Sequence, residues 1–167
     1  QEKPERGNRI GVDAFNRVRG YDDIFAIGDL SIMHDDLSYE NGHPQLARVL
    51  AELRHKDTLV IGDAGLPIPK GVERIDLGWR PGDPAYLDVL EEILKYIVVE
   101  KATFADEALR VTPEFHEKAK ALLPAELPVE YIPHTELKAR SANAKAIILT
   151  GEFTGYTNVI LTAGCAY

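Results

Sequence analysis

The chain has 167 residues, of which 45% are hydrophobic and 28% charged, the balance of an ordinary globular protein with one main core and at most a small appendage. Disordered, collagen-like and disulfide-stapled chains have other compositions and drop out. The formal charge of -8 argues against a nucleic-acid binder, whose affinity rests on clustered Lys and Arg, and favours a small neutral or polar substrate.

Residues 1–10 are polar, with Pro4 and Gly7, and are expected to be loose. The chain starts at Gln1 without an initiator methionine, as a processed or truncated N-terminus would. The apolar residues 24–27 stop at Gly28 and Asp29, the pattern of a buried strand ending in a turn. Residues 31–42 are irregular and acidic and read as a linker. Pro44 then opens an amphipathic helix in which Leu46, Val49, Leu50 and Leu53 recur at i, i+3, i+4 and i+7, ending near His55. A short β-branched-rich run at 59–61 follows at once, closed by Gly62 and punctuated by Gly65, Pro67 and Pro69. A helix leading straight into a buried strand predicts α/β architecture.

Asp83 and Pro84 read as N-cap and first residue of a second helix, with Leu87, Leu90, Ile93, Leu94 and Ile97 on its apolar face. Residues 98–104 predict a strand. Thr112 and Pro113 open a helix to about Leu123, residues 128–132 read as a strand, and Thr135 begins a short helix ending near Ala142. The last strands are expected at 146–150 and 158–162, joined by the Gly-flanked loop 151–156.

Several chemistries lack their signatures. No two glycines are separated by a single residue, so the dinucleotide fingerprint G-x-G-x-x-G cannot occur. The phosphate loop, the G-x-S-x-G elbow and H-E-x-x-H are also missing. Cys165 is the one cysteine; it can form no internal disulfide and reads as a packed or incidental thiol. No run has the length of a membrane span or the pattern of a signal peptide, so a reducing, cytoplasmic setting is expected. His34, Asp35, Asp36 and His43 are ligand types without convergent spacing and read as a solvated acidic loop, so no metal is expected.

The polar residues at strand ends are more informative. Asp63 follows the 59–61 strand, where open α/β sheets place ligand crevices, although aspartate is also common in turns. His55 lies where a helix hands over to that strand and reads alone as a cation at a helix C-terminus. His134 lies just past the 128–132 strand, near the start of a helix. Tyr156 and Asn158 bracket the start of the final strand, where a phenol and a carboxamide can hydrogen-bond sugar hydroxyls, or serve only as packing and a turn amide.

The stretches "LARVLAELRHKDTLVIGDAGLPIP", "RIDLGWRPGDPAY", "YIPHTELK" and "AIILTGEFTGYTNVILTAG" together resemble the D-ribose pyranase family, sugar-ring isomerases related to the fucose mutarotases. The resemblance covers residues 42–167. It implies a single compact α/β domain whose mixed, mostly parallel sheet is flanked by helices. It also implies an enzyme that interconverts pyranose and furanose forms of D-ribose by general acid–base opening of the hemiacetal, without cofactor or metal. By position, His55 corresponds to the catalytic histidine, Asp63 and His134 to substrate-binding residues, and Tyr156, Thr157 and Asn158 to the sugar-binding tripeptide. Family members form ring-shaped homo-oligomers, decamers, with sites near subunit boundaries, so an oligomer is implied, with no nucleic-acid or membrane partner.

Two features depart from that pattern. Arg54 and Lys56 flank His55 where the family shows glycine and a small hydroxyl residue; an arginine in place of a helix-ending glycine would be strained if the position needs a positive φ, and reduced activity is expected. Residues 1–41, with "NRIGVDAFNRVRGYDDIFAIGDLSIM", resemble instead the C-terminal flavin-binding segment of type II NADH dehydrogenases, in which Asp29 would contact the flavin. The chain thus reads as a chimera with a non-native N-terminal extension. A flavin-binding fragment and a catalytically inactive oligomeric module are the alternatives.

Overall fold

The computed structural model describes residues 10–12, 31–33 and 44–165. The strand expected at 24–27, Asp29, His34, Asp35, Asp36 and His43 lie outside the described residues. The chain divides after Ala51, and the two parts are taken in turn.

In the first part, β1 (Ile10–Val12) and β2 (Ser31–Met33) pair in parallel, Ile10 opposite Ser31 and Val12 opposite Met33. Three residues of the expected linker are therefore strand, because a ladder partner some twenty positions away in sequence supplies backbone bonds that local composition does not reveal. Next, α1 (Pro44–Glu52) carries the expected stripe, with Leu46 and Val49 buried and Gln45 and Arg48 exposed. It ends at Glu52, short of the expected end, and His55 and Lys56 occupy a separate turn.

In the second part, β3 (Thr58–Gly62), β4 (Glu73–Asp76), β5 (Val99–Ala105), β6 (Val129–Ile132), β7 (Ala146–Leu149) and β8 (Val159–Ala163) form a six-stranded sheet in the order β4-β7-β3-β8-β5-β6. β7 runs parallel to β3 and β4, and β5 parallel to β6. β8 alone is antiparallel to its neighbours β3 and β5. The sheet is thus mixed and mostly parallel, as expected. β7 and β8 are buried along their whole length and β3 along all but its first residue, which is why they read in sequence as unbroken apolar runs. β4 is an edge strand in which Ile75 alone is buried, so its sequence ERID shows no such run.

The helices flank this sheet: α2 (Tyr86–Leu94), α3 (Ala108–Val111), α4 (Pro113–Ala121) and α5 (His134–Arg140), the last continued by a 3-10 turn at Ser141–Asn143. α2 starts two residues later than expected and stops before Ile97. Ala85 is extended (φ -68°, ψ 145°), and the stretch before it is bound to the loop after β7: the Gly151 N–H donates to the Pro84 carbonyl at 2.9 Å and the Gly82 N–H to the Gly151 carbonyl at 2.6 Å. A Cβ at Gly151 would overlap the Asp83 backbone and lie 2.7 Å from the Arg80 carbonyl, so glycine is required there. The four-residue α3 was not expected, being too short to show a helical period. One core cluster joins Val60, Ala105, Ile132, Leu137, Ile147 and Ile160.

Beside that core, His116 of α4 is 3% exposed. Its Nε2 lies 2.9 Å from the Tyr131 hydroxyl and its ring packs edge-on against Phe104. Burial holds the imidazole below its ordinary pKa, whereas the unfolded chain protonates it near pH 6.5. His116 therefore contributes stability that is present above about pH 6.5 and lost as pH falls through its folded value. The urea midpoint is expected to decline below that pH, and His116→Gln to make the decline shallower; His134, also depressed, adds a remainder of the same sign.

Candidate active site

The parallel strands end at one edge of the sheet, and antiparallel β8 begins there. Asp63 follows β3, His134 follows β6 as the first residue of α5, and Tyr156, Thr157 and Asn158 lead into β8. These five candidate residues therefore gather at the carboxyl edge.

Asp63 and Asn158 bind each other twice. The Asp63 N–H donates to Asn158 Oδ1 at 3.1 Å, and Asn158 Nδ2 donates back to Asp63 Oδ2 at 3.1 Å. The Gly65 N–H donates to Asp63 Oδ1 at 2.9 Å. Burial raises the Asp63 pKa, an effect that the Gly65 and Asn158 hydrogen bonds oppose. Asn158 Nδ2 also lies 3.4 Å from His134 Nε2. Burial and Lys138 lower the His134 pKa, so near neutral pH its imidazole is uncharged. The His134 N–H is held by Glu107 Oε2 at 2.8 Å. The rings of His134 and Tyr156 meet edge-on at 5.0 Å, and Tyr156 has a left-handed backbone, φ 64°. The Thr157 hydroxyl donates to the Thr154 carbonyl at 2.8 Å, closing the loop on itself.

His55 is placed elsewhere. It precedes β3 whereas Asp63 follows it, so the five residues of the strand, roughly 17 Å, separate them. His55 is exposed at the opposite edge, with Nε2 3.0 Å from Glu100 Oε2, and Glu100 also binds the Lys56 ammonium. The Lys56 hydrogen bond, with that of His55, holds the Glu100 carboxyl below its usual range. Since α1 ends at Glu52, His55 is not the helix-terminal cation that its position in sequence suggests. The left-handed backbone, moreover, falls on Lys56, φ 73°, and not on Arg54. The conformational strain expected of Arg54 thus belongs two residues later, where the turn passes from α1 to β3.

Cys165 is exposed, not packed. Among the described residues, no group of three or more His, Cys, Asp or Glu could hold a metal ion, and no helix is long and apolar enough to cross a membrane. Glu107 and His116 were not singled out from the sequence; each acts through a partner distant in the chain, a relation that leaves no local signal.

Residues 42–166 match the profile of the RbsD / FucU transport protein family. The chain belongs to this family. Family members similar to it include the D-ribose pyranase of Laribacter hongkongensis, 48% identical over 73% of this chain and 92% of the relative. The D-ribose pyranase of Symbiobacterium thermophilum is 51% identical over the same shares. A solved structure of Bacillus subtilis RbsD complexed with D-ribose superposes with a TM-score of 0.72 at 43% identity, over 74% of this chain and 93% of that one.

The Asp63–Asn158 pair also dictates the glycine before it. A Cβ at Gly62 would lie 2.6 Å from Leu66 Cδ2 and 2.7 Å from Asn158 Oδ1. Gly62→Ala is expected to destabilise the fold by about 1–3 kcal/mol through overpacking, read from the urea midpoint. Lys56→Gly is expected to stabilise it by up to about 1 kcal/mol by relieving the left-handed backbone, while Arg54→Gly brings no such gain.

Proposed function

We propose that the protein is a sugar-ring isomerase that interconverts the pyranose and furanose forms of D-ribose. One observation carries this reading: the chain covers 92% of D-ribose pyranases to which it is 48 and 51% identical. Opening the pyranose ring requires removal of the anomeric hydroxyl proton and protonation of the departing ring oxygen. A different hydroxyl then closes on the carbonyl. Only protons move between sugar and protein, so the reaction needs neither redox cofactor nor metal.

His55 is the acid–base catalyst in this reading, since imidazole exchanges protons near neutral pH and such groups contribute about 10²- to 10⁴-fold. The Asp63 carboxylate accepts sugar hydroxyls with the lone pairs that Asn158 and Gly65 leave open. Neutral His134 and the Asn158 amide supply further acceptor and donor positions, the Tyr156 ring covers the sugar, and Thr157 sets the loop that presents them.

The two edges of one sheet cannot close on one sugar, so the site forms between copies. Exposed apolar side chains mark both edges: Trp79 and Phe153, 70% and 71% exposed, belong to the loops at the Asp63 edge, and Val98, 46% exposed, lies at the His55 edge. Head-to-tail contact between unlike edges gives a ring where the rotation between copies closes, in accord with a ring-shaped homo-oligomer. Residues 1–41 are read as a flavoprotein-like extension, and residues 42–167 as the catalytic domain. The lone, exposed Cys165 suits a reducing, cytoplasmic setting.

Saturation-transfer NMR on D-ribose tests the function: exchange between pyranose and furanose signals is expected to accelerate with the protein and to fall about 10²-fold or more in His55→Ala, whereas exchange at the uncatalysed rate rejects the reading. The shared site is tested by co-refolding His55→Ala with Asp63→Ala. Random assembly places an intact His55 against an intact Asp63 at about a quarter of the contacts, so about a quarter of wild-type activity should return; a site contained in one chain would give none.

A further inference from the structure

At the His55 edge β3 and β5 begin and β8, which lies between them, ends. Backbone hydrogen bonds fix the turn before β3 against these neighbours. The Lys56 N–H donates to the Ala163 carbonyl at 2.9 Å, the Ala163 N–H to the Asp57 carbonyl at 2.8 Å and the Gly164 N–H to the Val98 carbonyl at 2.8 Å. The turn also closes on itself: the Asp57 N–H donates to the Arg54 carbonyl at 2.9 Å, and the Arg54 N–H to Asp57 Oδ2 at 2.8 Å. None of these bonds involves the imidazole, so they place the His55 backbone and leave the ring to be fixed by something else.

Glu100 does so from β5, which leaves the regular ladder at this residue. Val99 lies opposite Ala163 and Lys101 opposite Thr162, two steps along β5 against one along β8. Glu100 is the extra residue, and bulges of this kind re-aim a side chain and recur beside functional sites. Its two oxygens have separate partners: Oε2 lies 3.0 Å from His55 Nε2, and Oε1 binds the Lys56 ammonium. The Lys56 bond keeps the carboxyl ionised near neutral pH. An ionised carboxylate only accepts, so the hydrogen of the shared bond sits on Nε2, and Nδ1 has the free lone pair of the neutral ring. The side chains of His55, Glu100 and Lys56 are 49%, 29% and 67% exposed, and ion pairs so open to water add little to stability. Stability therefore does not account for the bulge.

We propose that Glu100 is the positioning residue of His55: it holds the Nε2–H and so leaves Nδ1 as the nitrogen that exchanges protons with the sugar. This rests on the isomerase reading above and names the atom through which it works. Nδ1 takes the proton of a sugar hydroxyl, the ring becomes an imidazolium beside the carboxylate, and the proton returns to a sugar oxygen, so His55 ends each turnover neutral. Glu100 acts through His55 alone, and Lys56 holds the far oxygen of the carboxylate without setting the aim of the ring.

The test compares wild type with Glu100→Ala, Glu100→Gln and Lys56→Met in two measurements: exchange NMR on D-ribose, and 15N NMR of the His55 ring nitrogens in the sugar-free protein at a pH where the imidazole is neutral. In an active wild type, Glu100→Ala should lower kcat about 10- to 10²-fold with KM within about 2-fold. Glu100→Gln, whose amide oxygen still accepts from Nε2–H, should recover most of that loss, and Lys56→Met should keep kcat near the wild-type value. All three should melt close to wild type. Without sugar, wild type and Glu100→Gln should show one tautomer, with Nδ1 unprotonated, and Glu100→Ala a mixture of both. An unchanged kcat in Glu100→Ala, or an equal loss in Glu100→Gln, overturns the proposal. So does an equal loss in Lys56→Met, which would make the ion pair an anchor of the turn, and so does a wild-type tautomer mixture that Glu100→Ala leaves unaltered. A single wild-type tautomer that is lost in Glu100→Ala, together with D-ribose exchange at the uncatalysed rate, rejects the isomerase reading and leaves the hold of Glu100 on the ring standing.

Discussion

The paired hydrogen bonds between Asp63 and Asn158 exist because β8 runs against its neighbours. In an all-parallel sheet the residue before a strand and the residue after the adjacent strand lie at opposite edges. Reversing β8 between β3 and β5 brings Asn158 beside Asp63, within 3.1 Å in both directions. The same reversal carries the Tyr156 ring to His134, which α5 presents from the far side of β5. One strand direction thus assembles residues separated by up to 95 positions in sequence.

That edge combines desolvation with fixed dipoles. Burial alone would push Asp63 toward its neutral form, while the Gly65 N–H and the Asn158 amide favour the carboxylate. His134 is kept neutral by the same burial. The result is a site of hydrogen-bond acceptors with little net charge beyond one carboxylate, suited to a polyhydroxylated neutral ligand and poorly suited to a phosphate. The opposite edge has a different character: exposed, with Glu100 joining Lys56 to His55.

Much of the second part of the chain was legible because its central strands are buried on both faces and its longer helices carry apolar stripes. The α/β class, β3, β5, β6, β7, β8 and the helices around Leu90 and Phe115 follow from local pattern. β4 was not legible, since an edge strand with one buried side chain resembles a loop, and the start of α2 was displaced by backbone bonds to Gly151 that lie 67 positions away in sequence. Asp63, His134 and Asn158 were visible as polar residues at strand ends, but their convergence depends on sheet order, which periodicity does not encode. Tyr86 read only as part of the second helix, and Thr112 only as the cap of the third. That their buried hydroxyls find no hydrogen-bond partner among the described residues is a property of three-dimensional packing alone.

Among the described residues, Lys56 and Tyr156 are the non-glycine positions with a left-handed backbone. They stand at opposite edges of the sheet, one beside His55 and the other against His134. A glycine would relieve about 1–2 kcal/mol of conformational energy at either place, part of which its greater freedom in the unfolded chain gives back. The fold instead keeps a cation at one and an aromatic ring at the other, in turns whose direction decides where the neighbouring imidazole points. Stability and aim therefore compete at these two turns: replacements that relax the backbone would also loosen the side chains that the turns hold in place, so a more robust version of this protein is better sought in the helices than here.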